Sequence, residues 1–297
     1  MRVKASQVLR GIVATLLVCG AVLSAQSLPP GQGRIYVAVN DATGRPAEPR
    51  DAEAFHVWEN DVVRPVVSAG AATVPPSIVV IVHGFAIADA GDVRKALTGF
   101  VTQVRAAAPN ARLAIVGEVT DPKFSHITNN AAALDETARR FAESGKNMVY
   151  FEAIVDAAKA LGKEVSDRRV IVSLTKNTRH DADHQTMATT VEALKKSMAS
   201  VWCIDVTPEG TATDYNTKSS TEMDSFIDHA PSYSGGTVDH LFGFAALGAS
   251  LTRLTTTMLA QQQVTFTRTD QRGESTLRIG VAGKPGEQVI GPAWFVK

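Results

Sequence analysis

Residues 77–90, SIVVIVHGFAIADA, decide the reading of this chain. The run at 78–82, IVVIV, has no polar alternation and is far too short to span a membrane, so it predicts a strand buried on both faces. Strands of that kind sit inside parallel sheets, and this one is expected at the centre. Gly84 and the small residues after it turn the chain outward. Val93, Ala96, Leu97, Phe100, Val101 and Val104 then follow the three-four spacing of an amphipathic helix. In open α/β sheets the functional crevice lies outside the carboxyl ends of the strands, which makes His83 and the residues after it the expected site.

The alternation continues downstream. Helices are expected over 91–108, 130–143 and 149–161, the last two ended by Gly145 and Gly162, with strands at 112–117 and 169–175. A helix ending near 200 feeds a strand at 201–206, and a polar loop follows over 207–221. A short helix at 223–229 precedes Ser234-Gly235-Gly236, and a long helix is expected over 239–259. The pattern is that of a doubly wound, mostly parallel sheet with helices on both faces.

Both ends of the chain read differently. Residues 34–41 alternate Ile35, Val37 and Val39 against Tyr36, Ala38 and Asn40, a strand with one buried face. Extended pieces at 54–58 and 62–67 flank Asn60-Asp61, and Pro75-Pro76 separates them from the apolar strand. After residue 262 the period returns to two at Val264 and Phe266, then at Leu277, Ile279 and Val281, then over 289–296. Short sheets are unstable alone, so this tail is expected to pair with the first strands in a small antiparallel unit. The expected division is a linker at 26–33, an N-terminal β unit at 34–74, an α/β domain at 76–262 and C-terminal strands at 263–297.

Residues 1–25 carry Arg2, Lys4 and Arg10, an apolar segment at 11–23 and Ser24-Ala25, the pattern of a cleaved secretory signal. Cys19 raises lipidation, but the bulky Val18 before it argues against that. Cleavage would leave 27 basic residues against 30 acidic ones, with no basic patch, which argues against nucleic acid and anionic membranes as partners. The expected location is periplasmic or extracellular, without membrane insertion after cleavage. Only Cys203 would remain, inside the apolar run VWCIDV, where an inert core thiol is expected rather than a nucleophile.

Several segments in this order resemble the bacterial exported proteins built on a von Willebrand factor type A domain, the VWFA-related group. They are IYVAVNDATGRP and FHVWENDVVRPV, then PPSIVVIV as the first strand, RRVIVSLT as the fourth, VWCIDV as the fifth, and SGG before the last helix. The resemblance implies a sheet with helices on both faces and a metal-ion-dependent adhesion site at the strand ends. In that family an Asp-x-Ser-x-Ser motif closing the first strand supplies oxygens to a divalent cation. Here the matching stretch holds His83, Phe85 and Ile87; a family threonine matches Met148, and a family aspartate matches Lys176. Hard cations require oxygen ligands, so no metal and no cofactor are expected. Two arrangements remain open. Phe85, Ile87 and Met148 form an apolar plug beneath a solvated Lys176, or they stay partly exposed beside His83 and Lys176 and receive a protein partner's carboxylate.

Other chemistry is also represented. VVIVHGF resembles the start of an α/β-hydrolase, but no Gly-x-Ser-x-Gly nucleophile elbow occurs; Gly248-Ala249-Ser250 lies within an expected helix. His180 and His184, four residues apart beside Asp181 and Asp183, have the spacing of zinc ligands on a helix, although a solvated helix start explains the same residues. His56, His126, His229 and His240 are read as scattered structural or surface residues, and Asp205 and Asp228 as backbone acceptors. The expectation is therefore a non-catalytic protein-binding or scaffold module, with an enzyme using His83 or the loop of His180 and His184 as the alternative.

Overall fold

The computed structural model describes residues 28–85, 87–117, 126–141, 149–176, 185–207, 222–268 and 273–296. The chain opens with β1 (Gln32–Asn40), β2 (Phe55–Glu59), β3 (Val62–Arg64) and β4 (Val66–Ala71). The middle follows as β5 (Ser77–His83), α1 (Ala90–Ala107), β6 (Arg112–Gly117), α2 (Ala131–Arg140), α3 (Tyr150–Gly162), β7 (Arg169–Lys176), α4 (Met187–Ser197), β8 (Ser200–Thr207), α5 (Glu222–Ser234), β9 (Val238–Phe242) and α6 (Leu247–Leu259). It closes with β10 (Gln262–Thr267), β11 (Glu274–Val281), β12 (Gln288–Ile290) and β13 (Trp294–Val296).

Five strands form one parallel sheet in the order β6-β5-β7-β8-β9. All seven residues of β5 are buried, because the strand has layers on both faces. Ile78, Val80 and Val82 pack with α1, α2 and α6, while Val79 and Ile81 pack with α3, α4 and α5. That period-two split is what an uninterrupted apolar strand implies. The centre of the sheet, however, is β7. The crossover through α1 places β6 outside β5, and the next crossover returns past β5 to its other side. The order therefore reverses between β5 and β7, and the carboxyl ends there form the topological switch point.

Two four-stranded antiparallel sheets, β12-β1-β10-β4 and β13-β11-β2-β3, draw strands from both ends of the chain. Ile35, Val37, Val264 and Phe266 of the first face Phe55, Val57 and Leu277 of the second in one apolar core. The expected strand at 62–67 is split by Pro65 between the two sheets: β3 pairs with β2, and β4 pairs with β10. Proline has no N–H for a ladder, so the chain changes sheets there. The expected strand at 289–296 divides the same way around Gly291-Pro292. Trp294 packs into the core beneath α4 and α5, and Tyr36 and Arg34 bond to Asp167 at 2.5 and 2.9 Å, joining the antiparallel sheets to the α/β layers.

One long helix expected at 239–259 is not one element. Residues Val238–Phe242 add a fifth parallel strand to β8, with Asp205 opposite His240, and α6 begins only after Gly243 in a positive-φ conformation (φ 77). The local composition suits a helix; the exposed ladder edge of β8 decides otherwise.

Candidate functional site

At the switch point β5 ends in His83, opposite Thr175, and β7 ends one residue later in Lys176. His83 is fully buried, its ring 5.2 Å from that of Tyr150, whose hydroxyl pairs with Ser173 at 3.0 Å. Phe85 is 5 % exposed and packs into the core, its ring 5.9 Å from Phe244 in the turn before α6. Lys176 Nζ donates to Asp89 Oδ2 at 2.8 Å and lies 5.3 Å from the centre of the Phe244 ring. Asp89 closes the short 3-10 turn Ile87–Asp89 that leads into α1.

These positions revise the sequence reading. Phe85 presents no exposed patch, since Phe244 and the face of α1 cover it. Lys176 is neither solvated nor free to recruit a partner's carboxylate: its side chain is 18 % exposed and that of Asp89 11 %. Met148, His180 and His184 lie outside the described residues, as does the side chain of Ile87. His83 has no exposed surface at the end of β5.

Across the same sheet end, His240 Nδ1 sits 3.2 Å from Asp205 Oδ2 and its Nε2 sits 3.4 Å from Asp228 Oδ1. The sequence reading had left these three apart. They meet because β9 is a strand whose register puts His240 beside Asp205 and beneath α5. Phe242, 70 % exposed, ends the same strand. Asp89 and Phe244 were also missed. An acidic residue six positions past the strand end was the one available signal for Asp89.

A von Willebrand-type cation would need several oxygens converging at one point. Among the described residues no three His, Cys, Asp or Glu side chains gather in that way. At the switch point itself the ammonium of Lys176 takes the carboxylate of Asp89, and carbon surface from Phe85 and Phe244 lies beneath.

Cys203, on β8, is fully buried, and burial pushes its thiol from the ordinary 9.0 up to about 12. The folded chain thus holds this proton more tightly than the unfolded chain does. That contribution to stability is complete below pH 9 and declines as the pH rises toward 12. A disulfide-forming thiol reagent at pH 8 is expected to label Cys203 only as fast as the protein unfolds; rapid labelling of folded protein would show an accessible thiolate instead.

No family model matches this chain, and no curated protein does either. Solved structures do. A von Willebrand factor type A protein from Catenulispora acidiphila superposes with a TM-score of 0.50 at 10 % identity, over 91 % of this chain and 75 % of its own. The vWF domain of the type V pili tip protein Mfa5 from Porphyromonas gingivalis gives 0.46 at 12 % identity, over 63 % of this chain and 96 % of its own. The SpRpn10 VWA domain gives 0.44 at 14 %, over 60 % and 94 %. The first of these, with the parallel sheet between two helical layers, identifies the fold as the von Willebrand factor A type.

Proposed function

We propose that this von Willebrand factor A-type fold serves as an exported, non-catalytic protein-binding or scaffold module that works without a divalent metal. One observation carries the reading: the Lys176–Asp89 pair at the switch point, 2.8 Å long and largely buried. In the sequence resemblance Lys176 stands at the position of a family aspartate of the adhesion site, and here Asp89 neutralises its ammonium. The pair ties the end of β7 to the start of α1, so the strand-end surface is held by the chain's own charges. Export rests on the N-terminal signal pattern, and the partner is a protein met in the periplasm or outside the cell.

Two measurements test this. Melting the protein in chelator and then with magnesium, manganese, calcium or zinc should give superimposable curves. A bound ion at 100 times its dissociation constant would add about 2.7 kcal/mol, which is several degrees for a chain of this size. A magnesium or manganese shift would overturn the metal-free reading, and a shift with zinc alone would point to His180 and His184. In a double-mutant cycle, Lys176→Met and Asp89→Asn should each destabilise, with a coupling of about 1–2 kcal/mol. Additive effects would mean that the two side chains do not hold the site together.

A further inference from the structure

At the opposite end of the parallel sheet lies a cavity of about 460 Å³, between the C-termini of α1 and α6 and the segment that enters β5. Its volume falls in the range of small-molecule sites, roughly 300–1,000 Å³. Pro75, Pro76, Ala108 and Leu259 give it apolar walls, and Arg168 forms part of its lining.

Arg168 is 4 % exposed, and no carboxylate among the described residues lies within ion-pair distance of it. Its Nε donates to Gln261 Oε1 at 3.3 Å, and its Nη2 to the Met258 and Leu259 carbonyls at 2.8 and 2.9 Å, where the C-terminal end of α6 offers partial negative charge. Nη1 is different. Its two N–H groups share one long contact, 3.5 Å to the carbonyl of Val74, a residue of the cavity wall. A buried guanidinium edge without good acceptors is costly, and a carboxylate offers two oxygens matched to that edge. Burial lowers the Arg168 pKa to about 10, consistent with a cation that lacks a full counter-charge.

We infer that this cavity binds a small amphipathic carboxylate, its head against Arg168 Nη1 and its apolar body along Pro75, Pro76, Ala108 and Leu259. The site is separate from the switch point, and its occupancy is independent of the metal-free reading given above.

Octanoate is the probe, titrated by calorimetry into the full chain alongside 1-octanol, octylammonium and acetate. Octanoate is expected to bind one to one, and each of the other three at least about tenfold more weakly, since each lacks either the charge or the tail. Ala260 is exposed at the cavity wall, so Ala260→Trp should fold normally while filling the space, and it should weaken octanoate by a similar factor. Arg168→Met should abolish the preference for octanoate over octanol. It also removes the donor to the end of α6, so the Ala260→Trp result decides if that variant does not fold. The inference is overturned if octanoate shows no saturable binding, if octanol or acetate binds as tightly, or if folded Ala260→Trp binds octanoate as the parent does.

Discussion

Glu59→Gln is expected to lower the unfolding free energy by about 3–5 kcal/mol, the cost of leaving a buried cation without its partner. Glu59 ends β2 with no exposed surface; its Oε1 accepts from Arg268 Nε at 2.8 Å, and its Oε2 forms an ion pair with Arg64 Nε at 3.1 Å. The Arg268 side chain is 1 % exposed, also donates to Ser275 Oγ at 3.2 Å, and lies 4.2 Å from the centre of the Phe295 ring. Arg268 follows β10 in one antiparallel sheet, whereas Glu59, Arg64, Ser275 and Phe295 belong to the other. The ion pair therefore clamps the two sheets at one edge of their shared core. Glutamine keeps the shape and loses the charge, so urea denaturation of the two proteins isolates the electrostatic effect. Glu59→Leu combined with Arg268→Met should be milder than Glu59→Gln, since it removes the carboxylate together with the more deeply buried of its two cations and leaves only the partly exposed Arg64. A loss below about 1 kcal/mol for Glu59→Gln would place the pair in the class of solvent-screened surface bridges.

Gly236→Ala should cost roughly 3 kcal/mol or more, through backbone collision rather than lost contacts. A Cβ at residue 236 would stand 2.6 Å from the carbonyl carbon of Val201 and closer still to its oxygen. The neighbouring chain cannot yield easily. Val201 N is held by Ser234 Oγ at 2.9 Å, Cys203 N by the Thr237 carbonyl at 2.8 Å, and Gly236 N by the Pro231 carbonyl at 2.8 Å. This crossing delivers β9 to β8, so the substitution should also loosen the pairing of His240 with Asp205. Gly99→Ala is the control. It lies in α1 with nothing within 4 Å of the added carbon, and it is expected to stabilise by about 0.5–1 kcal/mol. Thermal melts of both variants check the contrast; equal, small effects would mean that the crossing has room for a side chain.

Much of the α/β framework was legible because its signals are local. The apolar run in β5, the three-four spacing of α1 and the alternation in β1 each need only neighbouring residues to be read. Pro65 was visible as a residue, but its effect was not: the missing N–H matters only when β2 and β10 compete for the chain on either side of it. β9 was hidden for a related reason. Five residues with a mixed burial pattern carry no strong period, and the open edge of β8 supplies the hydrogen bonds that make them a strand.

The strand-end site divides along the same line. By itself the sequence determined the strand-helix alternation, the buried first parallel strand and the absence of oxygen donors at His83, Phe85 and Lys176, since these follow from residue chemistry and short-range spacing. Tertiary structure alone decided that Asp89 turns back to Lys176, that Phe244 arrives from before α6 to cover Phe85, and that His240 stands between Asp205 and Asp228. Those contacts join residues up to about 160 positions apart. Their distances are set by crossover handedness, strand register and the packing of layers, which no local pattern of side chains encodes.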